Sequence, residues 1–372
     1  MTTNCREDDE QLPDASSLVE RVTPDRFQSW YQEREARENI RNGTPYFNGA
    51  PSIQSPQQHS PSKLLQCQRK TAYQQLNAPE EQEDPTGIFW VGEQFEEKIA
   101  LPYLREVVTG PNTYAANTLW VDCEIEHEAT SLRVRGATDP VIVTREGEPI
   151  LVTEIKAKSS VTHLKEPNRH HKAQAHAYLY GLSTKYDRQL TDAAIIYIGR
   201  DKLDLAVFHV EFDPAFWNET ILEWAREHSE YRLNDELPPA DPEMDWECEF
   251  CDYRIRCGKT NADHEDTGPV GFLPLSTEYP RTKVKEYLNS HDGAKLTPTL
   301  AHQYPDLAQS YGVLDWYCSV CGERYEWGDV EWGGDPHNPP LCASCVEEET
   351  PAPLSGPPPA SQHDIGPGDE DE

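Results

Sequence analysis

The chain has 372 residues, and its 66 acidic and 33 basic side chains give a formal net charge of −33 at pH 7. This length allows one large domain or two modest ones. The acid excess and the scarcity of lysine, 13 of the 33 bases, predict a surface that stays hydrated in a halophilic cytoplasm. No apolar run approaches the ~20 residues of a membrane span and the start is not a signal peptide, which excludes a membrane protein and predicts a cytoplasmic one.

The first part of the chain is a polar region followed by helices and strands. Residues 1–59 are rich in Pro, Gln and acids and are predicted to be mostly disordered, apart from one helix around Phe27 to Ile40. The next long helix, Thr86 to Val107, carries an apolar stripe. Strands at 118–127, 131–144 and 149–157 are predicted as a meander, followed by a helix over Asn168–Gly181, strands at 193–198 and 205–212, and a helix over 217–231. This order predicts an α/β fold, with a sheet covered by helices.

The remaining boundaries follow composition. Residues 60–258 are predicted to form the α/β domain, closed by a cysteine cluster, and residues 259–315 a linker with short helical segments, one of them over Leu300 to Tyr311. A module rich in cysteine and tryptophan occupies residues 316–346. Residues 347–372 are acidic, contain several prolines and no Lys or Arg, and are predicted to be disordered.

Two predicted strands place charge where an apolar core is expected. Asp139 begins one apolar segment, and Glu154 and Lys156 lie on the next, two residues apart and therefore on one face. Two carboxylates with open water positions suit Mg²⁺ or Mn²⁺, which can orient a water molecule and neutralise a scissile phosphate. The alternative is a surface carboxylate pair with a lysine counter-ion.

The following helix adds two polar residues and a local excess of bases. Gln174 and Tyr178 are four residues apart and share a helical face, where they can bond a DNA backbone or the surroundings of the attacking water. An ordinary amphipathic helix with Tyr178 in the core is the alternative. Residues 156–172 contain five bases and one acid, in a strongly acidic chain. In molar salt the screening length is only about 3 Å, so this local basic strip outweighs the net charge and is suited to phosphate. The histidines of this segment are predicted as polar surface or phosphate contacts.

These motifs, Gly136-x-x-Asp139, Glu154-x-Lys156 and Gln174-x-x-x-Tyr178, resemble in order and spacing the PD-(D/E)xK nucleases of the RecB type. The resemblance covers roughly residues 60–260 and implies a restriction-endonuclease-like core, with a central mixed sheet flanked by helices. It implies that Asp139 and Glu154 bind the metal, that Lys156 activates or orients the water, and that Gln174 and Tyr178 support the DNA side.

One position departs from the family pattern. The family usually places a metal-binding His in the first core helix, where this chain has Phe95 followed by Glu96. Phenylalanine cannot bind a metal ion. Either Glu96 and a water molecule substitute for the histidine, or activity is weakened.

The first cysteine set is Cys248-x2-Cys251-x5-Cys257, three thiolates that need a fourth ligand. Cys67 is isolated in the sequence, and an isolated cysteine is more often a small buried apolar residue. Thiolate chemistry alone does not choose between iron–sulfur and zinc. The segment around Cys67 resembles the cysteine motif of a RecB-like subset that includes the CRISPR-associated exonucleases of the fourth Cas family and the AddB-type repair nucleases. That resemblance implies a 4Fe–4S cluster held by all four cysteines.

The second cysteine set is a pair of Cys-x2-Cys knuckles separated by twenty residues, which predicts a zinc ribbon. Bound Zn²⁺ lets so short a module fold with almost no core of its own. The ligands are predicted to be Cys318, Cys321, Cys342 and Cys345. The ribbon's own partner is left open as DNA, another protein or none.

These features predict a Mg²⁺- or Mn²⁺-dependent DNA exonuclease that acts on single-stranded ends; substrate and polarity rest on the resemblance. A role in CRISPR adaptation and one in DNA-repair end-processing remain alternatives. The competing hypothesis is a catalytically weak DNA-binding or scaffold subunit that retains the nuclease fold, which Phe95 favours.

Overall fold

The computed structural model describes residues 15–41, 52–259 and 268–362, in two compact units that divide at Pro51. In the first unit, helices α1 (Ala15–Val19) and α2 (Pro24–Arg41) are described. The predicted helix around Phe27 to Ile40 lies within α2, whose side chains include no buried residue. The predicted disorder of residues 1–14 and 42–51 lies outside the described residues. Within the described ranges no helix is both long enough and apolar enough to cross a membrane.

A five-stranded mixed sheet forms the centre of the second unit, as the α/β prediction required. The strands are β2 (Thr113–Ala116), β5 (Val141–Thr144), β6 (Pro149–Lys158), β7 (Asp192–Gly199) and β8 (Leu205–Glu211). They lie side by side in the order β2-β5-β6-β7-β8, and β6 pairs with β7 in parallel while the other neighbours are antiparallel.

Helices cover both faces of this sheet. On one face lie α6 (Arg169–Tyr186) and a helix that runs from α7 (Pro214–Phe216) through Trp217–Leu222 to α8 (Glu223–Leu233), and α3 (Gln68–Gln75) packs against α8. The core there joins Val141 and Val152 of the sheet to Ala173 of α6 and Ile221. On the other face a helix from α4 (Thr86–Phe95) to residue 108 buries Leu101 against the sheet. That second helix contains two π-helical segments, Glu96–Ala100 and Leu104–Val108, separated by α5 (Leu101–Tyr103).

The predicted strand at 131–144 and the predicted meander are wrong. A separate three-stranded sheet contains β1 (Gln58–His59), β3 (Trp120–His127) and β4 (Thr130–Ala137), in the order β1-β4-β3. After β4 the chain leaves this sheet and enters the five-stranded one. At this point the Thr138 N–H donates to the carbonyl of Leu119, and the Leu119 N–H donates to the Thr138 hydroxyl, both at 2.9 Å. Pro140 has no N–H and therefore cannot donate a hydrogen bond between strands. Asp139 therefore lies in the crossing between two sheets.

Helix α6 continues through Gly181, which was predicted to end it. The helix stops at Asp187, whose φ of 47° is left-handed. Gly181 instead permits close packing, since a Cβ at this position would lie 2.1 Å from Cγ1 of Val121 in β3.

Gly181→Ala is therefore expected to destabilise the protein by about 1–3 kcal/mol, although alanine is the better helix former. Urea unfolding of the variant measures this loss. Val121→Ala in the same chain removes the colliding methyl groups and should restore part of the stability. An increase in stability for Gly181→Ala alone would contradict the packing argument.

The region after residue 268 is folded around its own apolar core. Helices α9 (Arg281–Ser290), α10 (Pro298–Gln303) and α11 (Pro305–Tyr311) enclose Phe272 and Leu296. The predicted helix over Leu300 to Tyr311 is two helices, because Pro305 cannot donate a helical hydrogen bond and begins a new one. Residues 260–267 of the predicted linker lie outside the described residues.

The C-terminal module contains a small antiparallel sheet and one short helix. Strands β9 (Trp316–Cys318), β10 (Arg324–Tyr325) and β11 (Leu354–Ser355) lie in the order β10-β9-β11, and the helix is α12 (Ala343–Glu347). Disorder from residue 347 was predicted, but Leu354 is 1% exposed and the Gln362 amide bonds both backbone atoms of Phe272. The composition of this segment did not predict these contacts, because only a few residues make them and many of the others are prolines. Residues 363–372 lie outside the described residues.

Candidate active site and cysteine sites

The structure brings Asp139, Glu154 and Lys156 together at the point along β6 where its pairing with β5 ends. The last pair between β5 and β6 is Val141 with Val152, so the next residues of β6 have an open flank on that side. Oδ2 of Asp139 fills the gap by accepting the N–H of Ile155 at 2.6 Å. The crossing between sheets thus places a carboxylate beside the most buried part of β6.

Glu154 carries a carboxylate that is fully buried, with 0% of the residue exposed. Its Oε1 forms an ion pair with Nζ of Lys156, but no hydrogen-bond donor of the described chain reaches Oε2. Burial, followed by repulsion from Asp139, raises the pKa of Glu154 to about 8. A buried oxygen without a donor is costly unless a cation binds it, so this site fits a divalent metal ion.

Lys156 is held in its charged form. Burial alone would lower the pKa of Lys156, but attraction to Glu154, Asp139 and Glu96 outweighs that effect, and the pKa is raised. A protonated ammonium donates hydrogen bonds and neutralises charge, and it does not accept a proton. Of the two roles implied by the resemblance, orientation of the water fits Lys156 better than activation as a base.

Glu96, and not Phe95, faces the carboxylates. Burial, followed by repulsion from Asp139, raises the pKa of Glu96 to about 7, so this side chain interacts electrostatically with the predicted site. Glu96 is the first residue of a π-helical segment, a local irregularity that is frequent at functional sites. Phe95 is half-buried and packs against the apolar core that contains Ile155. The helix therefore carries a carboxylate one residue after the position where the family pattern has histidine.

Gln174 and Tyr178 share a face of α6, as their spacing predicts, but both are buried. Nε2 of Gln174 donates to the Tyr178 hydroxyl at 3.0 Å, and that hydroxyl donates to the carbonyl of Ala137 at 2.7 Å. This chain of bonds fixes the backbone two residues before Asp139. Through these bonds the two side chains support the segment that carries Asp139, and spacing alone did not reveal their burial.

The prediction of surface histidines is wrong for two of them. His171 is 7% exposed and its Nδ1 lies 2.7 Å from the Tyr197 hydroxyl. His176 is 2% exposed, bonds the carbonyl of Lys172 through Nδ1 at 2.7 Å, and accepts the N–H of Asp213 through Nε2 at 3.0 Å. Burial lowers the pKa of both rings, so they are neutral structural groups. The ammonium of Lys158 lies over the ring of Tyr197. The sequence analysis did not identify Tyr197, because nothing in the sequence distinguishes a tyrosine in a strand from an ordinary core residue.

Four cysteines that are far apart in sequence line one cavity of about 270 Å³: Cys67, Cys248, Cys251 and Cys257. Cys67 directly precedes α3, Cys248 lies in a 3-10 helix (Asp245–Phe250), and Cys251 and Cys257 lie on the loop that follows it. That loop is held by the Glu81 carboxylate, which accepts the N–H groups of Ile255 at 2.9 Å and Arg256 at 2.8 Å. The cavity is thus built by residues from both ends of the α/β domain.

The ribbon cysteines are much closer to one another. Sγ of Cys318 lies 3.7 Å from Sγ of Cys345, and Sγ of Cys321 lies 3.5 Å from Sγ of Cys342. A tetrahedral zinc ion with Zn–S bonds of about 2.3 Å requires S–S distances of about 3.8 Å. The four sulfurs therefore fit a single zinc ion.

The spacing of the two cysteine sets separates them. Among the described residues, sets of three or more His, Cys, Asp and Glu ligand atoms that all lie within 4.8 Å of one another are the ribbon cysteines and an exposed trio, Asp192, His209 and Glu211. Neither the cavity cysteines nor the three carboxylates of Asp139, Glu154 and Glu96 form such a set. Four thiols spread around an open volume fit a polynuclear cluster better than one ion.

Comparison with known proteins identifies the family of the chain. The family model of the PD-(D/E)XK nuclease superfamily matches residues 47–258. Because this match spans more than half of the chain, the chain belongs to that superfamily, whose members are nucleases. Among solved structures, the crystal structure of SSO0001 is 18% identical, covers 63% of this chain and 97% of its own, and superimposes with a TM-score of 0.42. No curated protein matches the chain.

Proposed function

We propose that this protein is a metal-dependent DNA exonuclease that hydrolyses phosphodiester bonds at single-stranded ends. The observation that carries the proposal is the Glu154 carboxylate, fully buried with an oxygen that no donor of the described chain satisfies, next to Asp139 and Lys156. Such an arrangement costs stability and has a clear use as a metal site.

Asp139 and Glu154 would hold Mg²⁺ or Mn²⁺, with Glu96 as the third carboxylate. When bound, the metal supplies a more acidic water and neutralises charge on the scissile phosphate. Lys156 orients the attacking water and stabilises the developing charge, and Gln174 and Tyr178 keep the Asp139 segment in place. The strip at 156–172 supplies cations for the DNA backbone, of which Lys165 and Arg169 are exposed.

Two further metals belong to this proposal. Cys67, Cys248, Cys251 and Cys257 would hold a 4Fe–4S cluster that ties the two ends of the nuclease domain together. The ribbon cysteines would hold structural Zn²⁺, in a module that could contact a protein partner. Trimming of DNA for CRISPR adaptation and end-processing in repair both fit this chemistry.

An assay with three labelled substrates tests the function: a linear single strand, a circular single strand and a blunt duplex, each with Mg²⁺ or Mn²⁺ at low and molar salt. We expect the linear single strand to be degraded fastest and the circle to remain intact, because an exonuclease needs an end. Cleavage of the circle would show an endonuclease instead. Absence of cleavage under every metal condition would overturn the proposal.

A second candidate function, a DNA-binding or scaffold subunit without turnover, is favoured by Phe95, which occupies the core where the family has a metal ligand. Binding of the linear strand without cleavage supports this candidate. The presence of Glu96 beside Asp139 is the observation against it.

A further inference from the structure

One turn of helix α4 is apolar and uncovered. Ile88, Phe89 and Trp90 are 57%, 60% and 40% exposed, and α4 contains no buried residue. In the sequence, Ile88 belongs to the apolar stripe of the predicted helix from Thr86 to Val107. Consecutive large apolar residues on the surface mark an interaction site.

This turn leads directly into the candidate active site. Phe89 precedes Glu96 by seven residues, which puts both side chains on the same face of the helix, about 10 Å apart along its axis. Helix α4 packs against β6, the strand that carries Glu154 and Lys156, and Phe95 at the end of α4 contacts the apolar core that contains Ile155. Phe89 therefore lies on the side of the helix that leads to the carboxylates, and Trp90 is its neighbour on the adjacent side.

The charges around the cluster differ between its two contributing elements. Helix α4 and the turn after it carry Glu93, Glu96 and Glu97, which disfavour a phosphate backbone. Strand β6 carries Lys156 and Lys158 and runs on into the basic strip. A ligand that contacts both elements therefore needs an anionic side to bind the lysines and a flat apolar side to pack on the aromatic rings.

We propose that Phe89 and Trp90 stack on unpaired bases of a DNA strand whose phosphates contact the basic strip, and so select single strands over duplex. This inference rests on the proposed function, since it concerns the same substrate site. Nonspecific single-strand binding combines a basic groove with aromatic rings that stack on bases. A duplex keeps its base faces paired and stacked, so it gains nothing from these rings.

The test measures binding in buffer without divalent metal, so that no cleavage interferes. The probes are a labelled oligothymidylate, an abasic oligonucleotide of the same length and a blunt duplex, compared by fluorescence anisotropy. Wild type should prefer oligothymidylate over the abasic strand, and Phe89→Ala should weaken oligothymidylate binding by about tenfold while leaving abasic binding unchanged. Phe89→Trp should retain the preference. Trp90→Ala should lower it, whereas Trp327→Ala, which removes another 40%-exposed tryptophan in the C-terminal module, should not.

The possible results separate this inference from the proposed function. Equal loss of oligothymidylate and abasic binding in Phe89→Ala, or no loss, overturns the stacking inference, while cleavage by wild type keeps the proposed function. Selective loss in a protein that never cleaves supports stacking and overturns the nuclease. If sedimentation shows that Phe89→Ala converts a dimer to a monomer and DNA binding is unchanged, the turn is a self-association surface and the inference is wrong.

Discussion

Glu154→Gln is expected to lower cleavage by about a thousandfold or more while making the metal-free protein more stable. The loss of activity follows because the metal's charge stabilisation contributes several kcal/mol and each 1.36 kcal/mol is a factor of ten. The gain in stability follows from burial, since glutamine keeps the shape of Glu154 without an ionisable group. Opposite changes in activity and stability mark a residue that serves function at a structural cost.

The sign of the pH dependence follows from the raised pKa of Glu154, about 8 against an ordinary value of 4.5 for glutamate. Between these values the folded state binds more protons than the unfolded state, so the stability contributed by Glu154 falls as pH rises through this window. The advantage of Glu154→Gln should therefore be small near pH 5 and reach roughly 2 kcal/mol near pH 8.

Urea unfolding of wild type and Glu154→Gln at both pH values, with and without Mn²⁺, measures the effect. Mn²⁺ should stabilise wild type more than the variant. Glu97→Gln is the matched control, because Glu97 is the neighbour of Glu96 and its side chain is 56% exposed. Equal stability of wild type and Glu154→Gln at pH 8 would contradict the metal-site interpretation.

Substitution of one cysteine in each set is expected to remove a different metal and to destabilise a different part of the protein. Cys251→Ser should abolish the iron content and visible absorbance of anaerobically purified protein and destabilise the α/β domain, because Cys67 is then no longer tied to the late loop. Cys342→Ser should abolish zinc and leave iron, with the C-terminal module unfolding, since structural zinc contributes on the order of 10 kcal/mol to folding.

Elemental analysis, visible spectra and limited proteolysis distinguish these outcomes. Cys123→Ser is the control, because Cys123 is a buried core residue of β3 in neither set. The control should retain both metals. Zinc without iron in anaerobic wild-type protein would refute the polynuclear cluster at Cys67, Cys248, Cys251 and Cys257.

Several features of the site could be predicted because they depend on spacing within one element. Glu154 and Lys156 share a face of a strand, and Gln174 and Tyr178 share a face of a helix, whatever surrounds them. The ribbon knuckles are likewise local, since a Cys-x2-Cys turn presents two thiols together. Membership of the α/β class followed from the order of apolar segments.

Other features were invisible because they depend on partners that are distant in the chain. The division of residues 131–144 between two sheets is decided by Leu119 and by β2, neither of which is marked in the pattern of that segment. Gly181 has the composition of a helix stop, and only the position of Val121 makes it a packing residue. Ile88 fits an apolar stripe equally well whether or not anything covers it.

By itself, the sequence determined which chemical groups are present and which of them share a face: two carboxylates and a lysine on neighbouring segments of the chain, and two sets of cysteines. Only the tertiary structure decided that Asp139 occupies the crossing between two sheets, that Glu154 is fully buried, and that Glu96 interacts electrostatically with both carboxylates. It also decided that Cys67 meets three cysteines some 180 or more residues later in the chain. The physical reason is that side-chain periodicity is set by backbone geometry, whereas burial and convergence depend on which segments pack against each other.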